Sequence, residues 1–241
     1  MITSQYVSQI GLKQEDVLSF DSYPFSLPAV RMLKTLELHP SVTFFVGENG
    51  SGKSTLLEAI AVACGFNAEG GSKNFRFDTR VSHSELHRYL RVSRGHPRPR
   101  DGFFFRAESF FNVATEIENR GVGSSYSQRP LHEQSHGESF LALMMNRCGG
   151  NGLYLLDEPE AALSPTRQLS ILTRIHDLVG ERSQFLIATH SPILMAYPDA
   201  WIYEFSQSGI RRVAYEETEH YRVTRDFLAN PERMMRVLFE Q

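Results

Sequence analysis

The chain has 241 residues, 41% of them hydrophobic, and a formal net charge of −3. This suits a globular core and excludes both a globally basic nucleic-acid binder and an acid-rich disordered chain. Its two cysteines, Cys64 and Cys148, form no CxxC pair and are too few for a disulfide framework, so both are expected as buried or semi-buried thiols in a reducing, cytoplasmic setting. The N-terminus lacks the basic start, apolar core and cleavage pattern of a signal peptide. No segment approaches the ~20 apolar residues of a membrane span, so direct membrane insertion is not expected.

In chain order, the first strong element is a strand over 42–46, VTFFV, followed by a helix over 53–64. Residues 65–102 are rich in Gly, Ser, His and Arg with short strand-like pieces, NFRF and YLRV, and read as an irregular, partly β lobe. A strand at 103–105, a helix after Glu138, a strand at 153–156, a helix over 165–179 and a strand at 186–189 follow. The tail reads as a hairpin, WIYEF turning through Ser206-Gln207-Ser208-Gly209 into IRRVAY. Two amphipathic helices over 218–229 and 231–239 complete it, Pro231 suiting a first helical turn. Apolar strands alternating with helices predict an α/β fold, a mostly parallel sheet flanked by helices plus a smaller antiparallel β lobe, organised as a single domain over 1–241.

Between the first strand and its helix lies GENGSGKST, which comprises Gly47, Glu48, Asn49, Gly50, Ser51, Gly52, Lys53, Ser54 and Thr55 and matches the pattern G-x-x-x-x-G-K-[ST]. Its glycines let the backbone curl so that N–H groups surround phosphate oxygens at a helix N-terminus. Lys53 would reach the β- and γ-phosphates of ATP, and Ser54 would place its hydroxyl on Mg²⁺. The strand at 153–156 delivers Asp157 and Glu158 to the sheet's C-terminal edge, where ligands of open α/β sheets bind. Asp157 is expected as a Mg²⁺ partner, and Glu158 as the group that orients or deprotonates an attacking water. His190 ends the next strand, where it could link γ-phosphate and water by hydrogen bonds; a plain polar strand end is the alternative.

The order GENGSGKST, SHGES, LLDEPEAALS, ATHSP resembles the ATP-binding-cassette (ABC) class of P-loop ATPases over most of residues 20–205. The resemblance implies an ABC-type core in which a Ser-Gly motif heads a helix and binds the γ-phosphate of ATP held by a second protomer. Ser135 and Gly137 fit that motif, while His136 stands for a Gly and Glu138 for a Gln. Ser and Glu here equally suit an ordinary polar helix start. The resemblance further implies a Q-loop after the 103–105 strand, where Glu108 is a candidate Mg²⁺ contact, and a D-loop at Ala161-Ala162-Leu163-Ser164. It also implies an aromatic stacked on adenine, for which Tyr23 and Phe25 are candidates.

Only 26 residues separate Glu108 from Ser135, too few for a transporter's helical subdomain or a chromosome protein's coiled-coil arm. A compact ATPase akin to the stand-alone bacterial members is therefore expected, working as a homodimer closed by ATP. A transporter subunit and an ATP-gated module of negligible turnover are the alternatives. Five arginines, Arg88, Arg91, Arg94, Arg98 and Arg100, make the strongest local positive run, which could follow a nucleic-acid backbone, dock an acidic protein or form a solvated loop.

Overall fold

The computed structural model describes residues 5–73, 84–109, 115 and 135–240. Their elements in chain order are β1 (Val7–Leu12), α1 (Pro28–Arg31), β2 (Thr35–Glu37), β3 (Val42–Gly47), α2 (Lys53–Ala63), β4 (Leu90–Arg94), β5 (Asp101–Arg106), α3 (His136–Arg147), β6 (Gly152–Asp157), α4 (Pro165–Gly180), β7 (Gln184–Ala188), α5 (Pro192–Met195), β8 (Trp201–Ser206), β9 (Gly209–Val213), α6 (Glu219–Ala229) and α7 (Pro231–Phe239).

The main sheet has the order β5-β6-β7-β3-β8-β9. The first five of these strands run parallel, and β9 returns antiparallel to β8 through the expected hairpin. Every residue of β3, β6 and β7 is buried, as in a sheet covered on both faces. Alternation along each strand divides the core. Phe44, Leu156 and Ile187 pack with Leu143 of α3 and Ile171 and Ile175 of α4, while Phe45, Leu155 and Leu186 pack with Leu56, Leu57 and Ile60 of α2. Both cysteines are free and buried in these cores.

A second, antiparallel sheet has the order β2-β1-β4. YLRV contributes to β4, whereas NFRF lies outside the described residues. The other two strands of this lobe come from the N-terminal region, well before 65–102: β1 buries its residues without strict alternation, and β2 is three residues long. Gln184 of β7 fastens this sheet to the main one. Its Oε1 accepts from the backbone of Tyr6 (3.0 Å) and Val7 (2.9 Å), and its Nε2 donates to the carbonyls of Val7 (2.8 Å) and His39 (2.9 Å).

Helix starts follow their caps. Ser164 and Ser191 accept from backbone N–H groups of the turns they head, each followed by Pro, and Thr218 and Asn230 do the same for α6 and α7. Helices α6 and α7 leave Leu228, Val237, Leu238 and Phe239 exposed. No helix among the described residues is long and apolar enough to cross a membrane.

Candidate functional site

The parallel register brings the ends of β3, β6 and β7 level. Ala188 of β7 lies opposite Phe45 of β3 on one side and Asp157 of β6 on the other. Segments far apart in sequence therefore open onto one sheet edge. At the end of β3, Gly47 has φ +135°, and a Cβ there would sit 2.3 Å from the Phe205 carbonyl oxygen, so β8 excludes any side chain. The buried Lys53 folds back along the loop, Nζ donating to the carbonyls of Gly47 (2.8 Å) and Glu48 (2.9 Å). Burial lowers its pKa, and the charges of Glu158, Asp157 and Glu160 pull it back up.

Burial pushes the Asp157 carboxyl up to about 6, against the opposing effects of a hydrogen bond from Ser54 and the charge of Arg106. Its Oδ1 is buried without a hydrogen-bond partner. An orphaned carboxylate oxygen beside a serine hydroxyl fits Mg²⁺, a hard cation that takes one or two protein oxygens and fills its remaining positions with phosphate and water. Among the described residues no three His, Cys, Asp or Glu side chains gather to hold a metal unaided.

Glu158 adopts left-handed backbone geometry, φ 50° and ψ 51°, a conformation costing a non-glycine residue roughly 1–2 kcal/mol. Its N–H donates to the Ala188 carbonyl (2.9 Å), and its Oε1 lies 3.5 Å from His190 Nε2. Burial foremost, then the charges of Lys53 and His220, hold the His190 imidazole below its usual pKa, opposed by Glu158.

Four residues absent from the sequence-based site also converge here. Arg106, ending β5, pairs with the buried Glu58 of α2 (2.5 Å) and lies 3.8 Å from Asp157 Oδ2. It also holds Glu108 at 3.4 Å, leaving that carboxylate 83% exposed, so the candidate Q-loop acid is drawn to Arg106. Glu160 accepts from the His190 backbone N–H, and burial raises its pKa. His220 of α6 lies with its Nε2 2.9 Å from His190 Nδ1. Only Glu160 lay within a quoted motif; the others reach the site through strand order and helix packing.

Two clefts adjoin the loop. One of about 190 Å³ is lined by Tyr23, Leu27, Asn49, Gly50, Gly52, Lys53, Ser54, Thr55 and Glu158. Tyr23 is exposed, its hydroxyl 3.3 Å from that of Thr55, whereas Phe25 is buried edge-on against Tyr89. The structure thus separates the two aromatic candidates. The other cleft, about 530 Å³, lies between the 47–51 loop and residues of β8, β9 and α6 including His220. A larger cavity of about 660 Å³ by Met195 and Tyr215 contains none of the predicted site residues.

Ser135 caps α3 without entering either cleft. Its hydroxyl donates to Glu138 Oε2 (2.8 Å), its backbone N–H donates to the same oxygen (3.0 Å), and the Glu138 N–H returns to Ser135 Oγ (3.4 Å). This is a capping box. Arg167 adds bonds to Ser135 Oγ (3.4 Å) and Glu138 Oε1 (3.1 Å). A Cβ on Gly137 would meet the Ala162 carbonyl oxygen at 2.3 Å, so the turn after Glu158 packs directly on the α3 backbone. The structure thus shows the ordinary helix start, fully capped, packed against the turn that follows Glu158.

The arginine run is partly neutralised. Arg88 pairs with Glu85 (3.0 Å), Arg91 with Glu15 (3.1 Å), and Arg94 donates to the Ala63 carbonyl (2.9 Å).

Sheet order, loop and converging acidic edge define an ABC-type P-loop ATPase domain. The chain belongs to the AAA-domain family, whose model matches residues 20–140. A second AAA-domain model, described with the AbiEii toxin of type IV toxin–antitoxin systems, matches 128–196. The ABC transporter G family member STR2 of Medicago truncatula is 27% identical over 171 residues, covering 63% of this chain; the chain spans only 24% of that protein's length. Similar solved structures include MJ1267, an ATP-binding cassette of an ABC transporter (18% identity, TM-score 0.49, covering 95% of this chain and 96% of that one). The SMC head domain from Thermotoga maritima is another (16% identity, TM-score 0.46, covering 87% and 98%).

Proposed function

We propose that this ATP-binding domain hydrolyses ATP with Mg²⁺, and that two copies sandwich the nucleotides so that ATP closes the dimer and hydrolysis opens it. The observation that carries this reading is the unpartnered, buried Asp157 Oδ1 beside Ser54, on the edge where Lys53, Glu158 and His190 also meet.

Backbone N–H groups of residues 47–55 and the α2 N-terminus cradle the phosphates, and Lys53 exchanges its loop carbonyls for β- and γ-phosphate oxygens. Ser54 and Asp157 would hold Mg²⁺, which when bound would supply neutralisation of the phosphate charge. Tyr23, at the open cleft, is placed to stack on adenine. Glu158 accepts a proton from a water that attacks the γ-phosphorus; the bond from that phosphorus to the bridging oxygen breaks, leaving ADP and inorganic phosphate. His190 donates from Nε2 to the γ-phosphate, keeping it in line.

Ser135 and Glu138 at the α3 N-terminus are exposed and bonded to their own chain's Arg167, with Gly137 buried beneath them, so we assign the phosphate contact of this helix start to the ATP of the opposite copy. Arg98 and Arg100, which form no ion pair among the described residues, are the part of the basic run left to meet an acidic or nucleic-acid partner. Buried free thiols support a reducing, cytoplasmic location.

The experiment mixes two inactive variants, Lys53→Ala and Ser135→Arg. Each is expected to hydrolyse ATP at under about a hundredth of the wild-type rate. In a sandwich, mixed dimers hold one site with intact Lys53 and Ser135, so activity should recover toward a quarter of wild type. No recovery, with both variants folded, rejects the shared site.

A further inference from the structure

We propose that His220, the second residue of α6, is a positioning residue for His190, fixing it as the tautomer that carries its proton on Nε2. The proposal deepens the functional reading above and rests on it for its catalytic consequence; the tautomer itself does not depend on that reading.

His190 Nδ1 and His220 Nε2 are 2.9 Å apart, with ring centroids 5.1 Å apart. A hydrogen bond between two neutral imidazoles contains one proton, and two arrangements are possible. If His190 gave its Nδ1 proton to His220, the lone pair on His190 Nε2 would face the Glu158 carboxylate oxygen 3.5 Å away. Two acceptors would then oppose each other at a buried atom, which is costly. If His220 Nε2–H donates instead, His190 keeps its proton on Nε2, pointing toward Glu158. The second arrangement makes the hydrogen bond between the rings and turns a donor, rather than a second acceptor, toward Glu158 Oε1, which at 3.5 Å is not hydrogen-bonded to it.

The pKa of each imidazole is lowered from its usual value. Burial comes first for both rings, and Lys53 lowers both pKa values further; Glu158 opposes this at His190, as do Glu219, Glu204 and Glu48 at His220. The His190 backbone is held separately by Glu160, so His220 governs the ring and Glu160 the chain. His190 Nε2 is buried without a hydrogen-bond partner. It is a donor held ready for an anionic oxygen, and a γ-phosphate supplies one.

The fold delivers His220 deliberately. Thr218 caps α6, its Oγ accepting from the Tyr221 N–H (3.3 Å) and donating to the Tyr215 carbonyl (2.7 Å). Tyr215 in turn donates from its hydroxyl to the Pro192 carbonyl (2.9 Å), two residues beyond His190. The helix start is therefore tied to the same loop whose histidine it touches. A metal-ligating histidine is oriented by its outer hydrogen bond in the same way, and loss of such a partner costs about 10–100-fold in activity.

The test compares His220→Leu, which removes the donor, with His220→Gln, whose amide N–H can replace it. For His220→Leu we expect kcat for ATP hydrolysis to fall about tenfold or more, with KM changed less than about twofold. His220→Gln should stay within about threefold of wild type. Equal losses in both variants, or wild-type kcat in His220→Leu, would overturn the proposal. In parallel, imidazole ¹⁵N shifts of nucleotide-free wild type, assigned by their absence in His190→Ala, should show His190 protonated at Nε2. A His190 protonated at Nδ1 refutes the proposal even if both His220 variants misfold. Wild type unable to hydrolyse ATP would sink the functional reading while the ¹⁵N spectrum still decides the tautomer.

Discussion

The starts of α2 and α3 are two helix N-termini of one protein in opposite states. At α2 the polar groups are buried before any ligand arrives: Lys53 is folded onto loop carbonyls, and Asp157 Oδ1 has no partner. At α3 they are exposed and satisfied by their own chain, through the Ser135–Glu138 box and Arg167. The difference teaches that a helix start can hold its polar groups buried, at a standing cost in unsatisfied atoms, or exposed, where a reciprocal cap satisfies them; in the dimer proposed above these are the two halves of one site.

The sharpest way to break the buried half is Lys53→Ala, expected to lower ATP hydrolysis by about a hundredfold or more and to weaken nucleotide binding measured by fluorescent-nucleotide displacement. Glu158→Gln should lower kcat by about a hundredfold, within the range of a lost general base, while ATP is still bound. Light scattering with ATP and Mg²⁺ should then show a stable dimer, and a monomer at saturating ATP would contradict the sandwich.

Two further variants ask what holds the halves in place. Asp101 accepts from Arg147 (2.7 Å), the Gly149 N–H (3.0 Å) and Tyr154 (2.9 Å), pinning the far end of α3 to β5 and β6. Burial alone would raise its pKa, but these bonds bring it below the usual value. A depressed pKa means stability fully present above the unfolded-state value near ~3.9 and lost as pH falls through the folded value. Asp101→Asn should therefore cost about 2 kcal/mol near neutral pH in urea unfolding, with the gap from wild type closing as the medium becomes acidic below that range. Gln184→Ala, which strips the four side-chain hydrogen bonds to the backbone of Tyr6, Val7 and His39, should cost a comparable ~2 kcal/mol without changing the denaturant slope.

The smallest stability effect belongs to the exposed half. Ser135→Ala removes a cap worth about 1 kcal/mol by thermal unfolding, yet should impair hydrolysis far more than so modest a loss explains. If activity falls no further than the folded fraction, α3 is a structural helix start alone.

Much of this was legible in the chain. The 42–46 and 153–156 runs, the Gly-rich loop, the acidic pair and the C-terminal hairpin are contiguous, so their strands, turns and caps follow from neighbouring residues. Glu108 and the Tyr23–Phe25 alternative were not resolvable that way. Whether an acid meets a metal or an arginine, and which aromatic meets solvent, depends on residues tens of positions away.

By itself the sequence determined the class of fold and which strand ends carry the Gly-rich loop, the acidic pair and His190, because hydrophobic periodicity and turn chemistry act locally and survive without knowledge of the partners. Only the tertiary structure decided that Arg106 joins Glu58 to Asp157, that Gln184 clamps β1, and that His220 reaches His190. Those contacts exist because β7 lies between β6 and β3 and the chain's last helices return to the same edge. Pairing across such distances is set by packing, which no local pattern encodes.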